Sequence, residues 1–413
     1  MSSAAAPERS EWAANWPLLL SAVVGIPVPA AMSQMLGVFM VPLEHEFGWT
    51  RTEASLGYSI SLMLGFLTSP FIGRLVDKNN ARFLALPGIV LTGFAIAAFS
   101  LATSSIGVWI ALWCMVSLVG GLIGPSVWLA VVSGAFEKNR SLAISITLCG
   151  MSLAGMLAPL SARLMIDAYG WRMAWVVLGM IWSGPALVLS LLFFFDRRPS
   201  ARPKAQQPDQ AAPKPALRRV FLSSTFIRLG LALTTIGLAG SSFGLHMVPA
   251  LVDKGINATT VAVIAGIPGL MGIFGRLALG SAFDRVGQVR VTLGIMTLYA
   301  LASIFLAQQS ASVPLAVAGC MVLGLAGGGM HVFVACVVTR LFHSSIFGVV
   351  YGSLTSLSVL AAAAGPLLTS RVHDVIGSYT PVFWSGIGAA FIAALLLLKL
   401  VPVSADAPTG TTG

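Results

Sequence analysis

The sequence is divided into twelve long apolar runs, and this pattern constrains the fold more than any other feature. About 20 apolar residues are enough for an α-helix to cross the hydrocarbon core of a bilayer. Only 9% of the 413 residues are charged, against roughly 25% in soluble domains, so the chain cannot cover a water-facing surface. We therefore predict an all-α membrane protein with twelve transmembrane helices. The runs lie at 17–43, 54–75, 82–102, 107–135, 141–166, 171–195, 222–251, 258–282, 289–308, 312–340, 346–370 and 379–401.

Basic residues predict the orientation of the chain. The formal net charge is +10, and Lys and Arg concentrate in alternate segments between the runs. The positive-inside rule places those segments, and with them the N- and C-termini, in the cytoplasm. The charge excess is therefore explained by cytoplasmic loops, and no nucleic-acid partner is expected.

The two halves of the sequence repeat each other. Matched pairs keep the same residue type 207 residues apart; they are Gly73 and Gly280, Asp77 and Asp284, Asp167 and Asp374, and Gly170 and Gly377. Such parallel repeats predict two six-helix bundles with a site near the membrane midplane at the interface of the repeats. We predict bundles at 1–195 and 222–413, joined by a polar linker at 196–221 that is rich in Pro, Ala, Gln and basic residues.

Three segments carry a family resemblance. GRLVDKNNAR (73–82) and its repeat GSAFDRVGQVR (280–290) resemble the G-x-x-x-D-[RK] loop signature of the major facilitator superfamily. EFGWTRTEAS (46–55) and FEKNRSLAIS (136–145) are similar to signature segments of bacterial members of the monocarboxylate transporter family. Together with the repeat, the resemblance covers nearly the whole chain. It implies the major facilitator fold and a multi-pass protein of the bacterial inner membrane.

The resemblance also implies a gate. In this superfamily the acidic residue of the loop caps a neighbouring helix and pairs with basic residues, which holds one access state closed. That implies gating roles for Asp77 and Asp284, with Arg82 and Arg285 as the basic residues. The alternative is a charged turn that only sets the topology.

Arg276 is the predicted substrate anchor. It lies eight residues before Asp284, about 12 Å further into the membrane at 1.5 Å per helical residue. An ionised side chain at that depth is costly and by default suggests a function. Position 69, which is 207 residues earlier, holds a serine, whereas a structural device would be expected in both repeats. The resemblance implies that Arg276 binds a substrate carboxylate; an arginine that reaches back to the interface is the alternative.

Five further residues are weaker candidates for the substrate pocket. Two are histidines within apolar runs, which could bind substrate, carry a proton or link helices by hydrogen bonds. The others are polar or aromatic, and for them packing is favoured over substrate contact. The candidates are His246, His331, Gln34, Trp128 and Tyr351.

Several patterns are missing from the sequence. Gly272 stands where animal members of the family have an aspartate, and the first and eleventh runs contain no lysine. The missing lysine of the eleventh run argues against a dicarboxylate as the substrate, because no second cation is available for its second carboxylate, and the departures together leave the identity of the substrate open. The fourth run has no arginine of the kind typical of drug exporters, and no acidic residue lies inside a run, which weakens drug export.

The sequence predicts no enzyme. It has no nucleophile–base pair, no phosphate loop and no clustered metal ligands, so we expect no catalytic residue, cofactor or metal. An ATP-driven pump is excluded by the missing nucleotide motif, and a transporter-like sensor would need an added soluble domain. No obligate protein partner is evident.

The predicted function is secondary transport of a small organic monocarboxylate by alternating access. The expected partners are that carboxylate, protons and the lipid bilayer. Because no Asp or Glu lies inside a run, the coupled proton would be carried by His246, His331 or the substrate itself. Proton symport is the preferred form. An organic anion exchanger and an exporter of amphipathic compounds remain alternatives.

Overall fold

The computed structural model describes residues 11–78, 80–136, 139–195, 217–342, 346–398 and 400. In this part of the chain the regular structure is helical, as predicted. The helices are α1 Glu11–Gly25, α2 Pro27–Phe47, α3 Arg51–Lys78, α4 Ala81–Ala97, α5 Ile106–Gly121, α6 Pro125–Ala135, α7 Arg140–Phe193, α8 Leu217–Phe221, α9 Ser224–Asp253, α10 Ala258–Val286, α11 Gln288–Ala307, α12 Val313–Leu341, α13 Phe347–Ile376 and α14 Thr380–Leu398.

Eleven helical stretches in the described ranges are long and apolar enough to cross a membrane. One of them, Leu142–Phe193, is interrupted at Gly170, whose φ of 75° and ψ of 159° are not helical. Glycine adopts a positive φ without the steric cost that a Cβ atom brings. Division at Gly170 gives twelve spans and confirms the predicted number.

Proline and glycine interrupt two of the spans. The first apolar run forms α1 and α2, which meet where α1 ends at Gly25 and α2 begins at Pro27. The fourth run is divided in the same way, because α5 ends at Gly121 and α6 begins at Pro125. Proline lacks a backbone N–H, so it suits the first position of a helix and disrupts a helix interior.

Packing divides the chain into two compact units, and the division falls inside α3. Unit 1 comprises Met1–Phe47 and Leu67–Arg202, and unit 2 comprises Gly48–Phe66 and Pro203–Gly413. The first half of α3 therefore packs with the helices of the second sequence repeat. The domain boundaries expected from the repeat, at 195 and 222, stay a prediction, and linker residues 196–216 lie outside the described ranges.

Aromatic side chains form the centre of unit 1. The rings of Phe39 and Trp175 stack with their centroids 3.8 Å apart, which joins α2 to α7. Phe99 lies edge-on to Trp109 and Trp113, at 5.2 and 5.3 Å. Edge-to-face ring pairs add a favourable interaction to the burial of apolar area. All five side chains are almost fully buried.

Glycines bring α10 and α12 of unit 2 into backbone contact. A Cβ atom on Gly324 would lie 2.5 Å from the carbonyl oxygen of Pro268, and one on Gly328 would overlap the backbone of Gly272. Small residues allow membrane helices to approach this closely.

Candidate functional site

Arg276 lies inside the membrane-spanning stretch Ala258–Ala278 of α10 and is half-buried. It follows Gly275, where a Cβ atom would overlap the carbonyl group of Leu325 in α12. The guanidinium group is therefore carried by the part of α10 that packs most closely on α12. Its depth in the membrane and its role as substrate anchor stay predictions.

The other predicted pocket residues are distributed over both units. Tyr351 is half-buried on α13 of unit 2. Gln34 is exposed on α2 of unit 1. Trp128, also in unit 1, is fully buried, and its Nε1 donates to the carbonyl oxygen of Ile123 at 2.8 Å. A buried indole whose N–H already has an acceptor favours packing over substrate contact. The side chain of His331, on α12, lies outside the described residues.

His246 is buried on α9 and hydrogen-bonded at both ring nitrogens. Its Nε2 lies 3.0 Å from the carbonyl oxygen of Pro366 and 3.1 Å from the hydroxyl of Ser370. Its Nδ1 lies 3.2 Å from the hydroxyl of Tyr379. A carbonyl oxygen can only accept, so Nε2 carries a proton. The Tyr379 hydroxyl then donates to Nδ1, and the geometry fits the neutral Nε2–H tautomer of His246.

The Arg51 side chain continues this hydrogen-bond chain to the carboxylate of Asp253. Its Nη1 donates to the Tyr379 hydroxyl at 2.9 Å, and its Nη2 donates to Oδ1 of Asp253 at 3.0 Å. The Arg51 side chain is only 8% exposed. A buried guanidinium needs such partners, because an uncompensated buried charge costs several kcal/mol. His373 completes the group, with Nε2 3.3 Å from Oδ2 of Asp253.

Asp374 caps the first turn of α3 from another helix. Its carboxylate accepts hydrogen bonds from the backbone N–H groups of Arg51 and Thr52, at 3.2 and 3.1 Å, and from the Thr52 hydroxyl. Within α3, Thr50 and Glu53 form a reciprocal capping box. The first N–H groups of a helix have no partner inside the helix, and a carboxylate beside them is favoured by the helix dipole. We call Arg51, Asp253, His373, Asp374 and Tyr379 the docking cluster.

Sequence reasoning missed the docking cluster. In the sequence, Arg51 lies between two apolar runs, and Asp253 and Asp374 lie just after the ends of two others, so none of the three stands out as a site residue. One signal was available in the repeat, since Asp374 lies 207 residues after Asp167. The same offset relates Asp253 to Glu46, at the C-terminal ends of α9 and α2.

Unit 1 contains its own charged network at the end of α2. Oε1 of Glu46 accepts from Nη2 and Nε of Arg172 at 2.7 and 3.2 Å, and Oε2 accepts from Nε1 of Trp171. Arg172 also donates to the carbonyl oxygens of Ser100 and Ala102. The segment EFGWTRTEAS thus serves both units, because Glu46 organises unit 1 while Arg51 belongs to unit 2.

The predicted gate residues are described only in part. The side chains of Asp77 and Asp284 lie outside the described residues, and Arg285 is exposed. The guanidinium of Arg82 donates to the carbonyl oxygens of Leu191 and Phe194, both at 2.8 Å, at the end of α7. A cation at the C-terminal end of a helix is favourable. The structure therefore gives Arg82 a capping contact within unit 1, and the gating roles stay a prediction.

Lys254, which follows Asp253 of the docking cluster, caps the C-terminal end of α11. Its Nζ donates to the carbonyl oxygen of Leu306 and lies 5.4 Å from the ring centroid of Phe383. Burial lowers the pKa of the Lys254 ammonium group below its ordinary value. The side chain thus points to α11, although the preceding residue, Asp253, is in the docking cluster.

Comparison with known proteins shows which protein family the sequence matches. The sequence profile described as Major Facilitator Superfamily matches residues 28–308 and 232–413. Monocarboxylate transporter 13 of Bos taurus is 26% identical over 95% of this chain and 90% of its own length. The agnestins efflux protein AgnL12 of Paecilomyces divaricatus is 23% identical over 89% of this chain and 83% of its own length.

A solved structure has the same fold. The crystal structure of the nucleoside transporter NupG superposes with a TM-score of 0.75, covering 93% of this chain and 98% of that one. The sequence identity is 12%, so the similarity concerns the fold alone. The segments that carry the resemblance to monocarboxylate transporters, the superfamily profile and the fold agree on one class of membrane protein.

Proposed function

The chain belongs to the major facilitator superfamily, and on that premise we propose that it transports a small organic monocarboxylate by alternating access. We further propose that it resides in the bacterial inner membrane with both termini in the cytoplasm. The single observation that carries the proposal is Arg276, half-buried within a membrane-spanning stretch of α10. Its chemistry suits a carboxylate, because a guanidinium donates two parallel hydrogen bonds to the two oxygens of that group.

The similarity to a monocarboxylate transporter over nearly the full length of both chains supports this substrate class. The charges of the described helices agree with it. Among the residues that the structure describes, the acidic side chains lie at the ends of the membrane-spanning stretches or outside them. An exporter of cationic compounds would need an acidic residue within the membrane.

The substrate can be identified with purified protein. A ligand that binds the native state raises its apparent melting temperature by mass action. We would measure that shift for a panel of short aliphatic and aromatic monocarboxylates, with the matching amides and a dicarboxylate as controls. At a concentration 100 times its Kd, a true ligand stabilises by about 2.7 kcal/mol. Equal shifts with acids and amides would contradict the carboxylate assignment.

We propose that transport is proton symport. In liposomes, uptake of the identified acid should rise several-fold as the external pH falls from 7.5 to 5.5, and a protonophore should abolish the difference. Uptake that ignores both would instead indicate anion exchange or facilitated diffusion. Counterflow with preloaded acid separates these two, since an exchanger requires the internal anion.

The two histidine candidates for proton coupling have different expected outcomes. Both nitrogens of His246 are engaged, one as donor to Pro366 and one as acceptor from Tyr379. We therefore expect His246→Gln to keep the proton dependence of uptake, even if it slows transport. If His331→Gln loses that dependence, His331 carries the proton; if both variants keep it, neither histidine does, and the result favours protonation of the substrate carboxyl. Loss only in His246→Gln would contradict this assignment.

A further inference from the structure

The docking cluster differs from the equivalent network of unit 1 in the source of its cations. In unit 1, Glu46 is paired with Arg172 and Asp167 with Arg163, so acids and arginines come from the same sequence repeat, whereas Arg51 belongs to the first repeat and Asp253 and Asp374 to the second. The residues 207 positions after those two arginines are Tyr379 and Ser370. The acids of unit 2, Asp253 and Asp374, therefore lack the arginines of the repeat. Their positive partners are the Arg51 side chain and the N-terminus of α3.

His373 has no counterpart in unit 1, since the residue 207 positions earlier is Ile166. Its imidazole lies between the two carboxylates. Nε2 is 3.3 Å from Oδ2 of Asp253, and Nδ1 is 3.9 Å from Oδ1 of Asp374. The Nδ1 atom is buried and has no hydrogen-bond partner in the described part of the chain. The ring stacks on Tyr379 with the centroids 4.3 Å apart.

The groups around His373 come from three helices and from the residue before a fourth. Arg51 approaches from α3, Asp253 and His246 from α9, Asp374 is its neighbour on α13, and Tyr379 directly precedes α14. Two other cations are close in sequence. Lys254 points to the carbonyl oxygen of Leu306, and Arg371 is exposed two residues before His373 on α13. The charges that meet at the imidazole are thus two carboxylates, one guanidinium and the α3 N-terminus.

We propose that His373 is a proton-binding site and that a proton bound there releases the first turns of α3 from α9 and α13. The groups of α3 that contact the two carboxylates, and that leave when α3 undocks, are positive: the Arg51 guanidinium and the partial positive charge of the helix N-terminus. The one acidic side chain in the first turn of α3, Glu53, is bonded to Thr50. A proton on His373 repels both. After undocking, two carboxylates remain beside the imidazole without those partners, and they attract the proton. Proton binding and α3 docking therefore oppose each other by thermodynamic linkage.

The proposed proton site at His373 could respond to the pH outside the cell. Histidine is the side chain whose ordinary titration falls between about pH 5 and 8. The orientation predicted from Lys and Arg places the ends of α9 and α13 and the start of α3 on the outer face. An acidic exterior would then favour the state in which α3 is released. The link to carboxylate uptake rests on the proposed function; the proton site does not.

Hydrogen exchange on the intact protein, without substrate, tests the site directly. The amides of Arg51 and Thr52 are bonded to Asp374, so a peptide covering residues 48–58 reports on docking through its exchange protection. Corrected for intrinsic exchange rates, its protection should fall by about tenfold between pH 7.5 and 5.5, the size expected for like charges sharing a partly exposed carboxylate. His373→Gln should retain the high protection at both pH values.

Three variants complete the test. His45→Gln changes an exposed histidine five residues before Thr50 and should keep the wild-type pH response. His373→Lys and Arg51→Gln should both give low protection at pH 7.5, because one adds a fixed positive charge and the other removes the docked cation. A wild-type peptide with pH-independent protection would overturn the proposal. So would a His373→Gln protein that keeps the wild-type response.

The hydrogen-exchange experiment tests the proton site at His373 and the uptake experiment tests the proposed function, so either hypothesis can be contradicted without the other. If no monocarboxylate is bound or transported, the proposed function is wrong while a pH response that depends on His373 still stands. If uptake rises at acidic pH equally in wild type and in His373→Gln, the proton site has no part in transport. That outcome, together with pH-independent protection, would leave the docking cluster as a structural element only.

Discussion

Replacement of Arg276 by lysine is expected to reduce carboxylate uptake by about 100-fold while the folded protein persists. Lysine keeps the charge but not the planar fork, so it cannot donate two parallel hydrogen bonds to one carboxylate. A factor of 100 corresponds to about 2.7 kcal/mol, within the range for loss of a charge-assisted hydrogen bond in a site of low dielectric constant. Initial uptake rates into liposomes of matched protein content give the comparison.

A second arginine serves as the matched control for Arg276. Arg290 is exposed in the first turn of α11, at the end of that helix rather than in its apolar middle. Arg290→Lys should transport like the wild type. The substrate-induced rise in melting temperature should also disappear in Arg276→Lys and persist in Arg290→Lys. Normal uptake by Arg276→Lys would show that Arg276 is not the anchor and would favour an arginine that reaches the membrane interface.

Gly328→Ala is expected to destabilise unit 2 by about 3 kcal/mol or more. The added Cβ atom would overlap the backbone of Gly272, so α10 and α12 must separate or shift along each other. Overpacking of this kind typically costs about 1–3 kcal/mol, and more where the neighbour is backbone rather than a flexible side chain. Thermal unfolding of the purified variant gives the loss directly. The shift should also disturb Arg276, one helical turn after Gly272 on α10.

Gly294 provides the control for this substitution. It lies in α11, and a Cβ atom at that position would meet nothing within 4 Å. Alanine is favoured over glycine in a helix interior by about 1 kcal/mol in water, so Gly294→Ala should be neutral or slightly stabilising. Equal melting temperatures for Gly328→Ala and Gly294→Ala would mean that the contact between α10 and α12 can relax without cost.

Much of the fold could be predicted from the sequence because its determinants are local. The length of an apolar run decides whether a helix can span the bilayer, and every backbone polar group in lipid must be satisfied within that helix. The interruptions at Pro27 and Gly170 follow from the backbone preferences of the two residues themselves. The all-α class, the twelve spans and the superfamily were accordingly confirmed.

The candidate site could be predicted from the sequence only in part. Arg276 could be found because a charge inside an apolar run is conspicuous in any membrane sequence. Its neighbours could not, since no local pattern states which helix packs beside α10. Glycines in a membrane helix permit close approach of a neighbouring helix, but the glycines of α12 do not identify α10 as that neighbour.

The docking cluster was decided by tertiary structure alone. Arg51 meets Asp253 from 202 residues away and Asp374 from 323 residues away, and the sequence near each residue contains no sign of the others. The same holds for His246, which the sequence offered as a pocket residue and which the fold bonds to Pro366 and Tyr379. Composition and the length of the apolar runs determined that the chain spans the membrane and how many spans it has, because those depend on the free energy of each segment in lipid. Only three-dimensional packing determined which buried charges neutralise one another, because that depends on which distant segments the fold brings together.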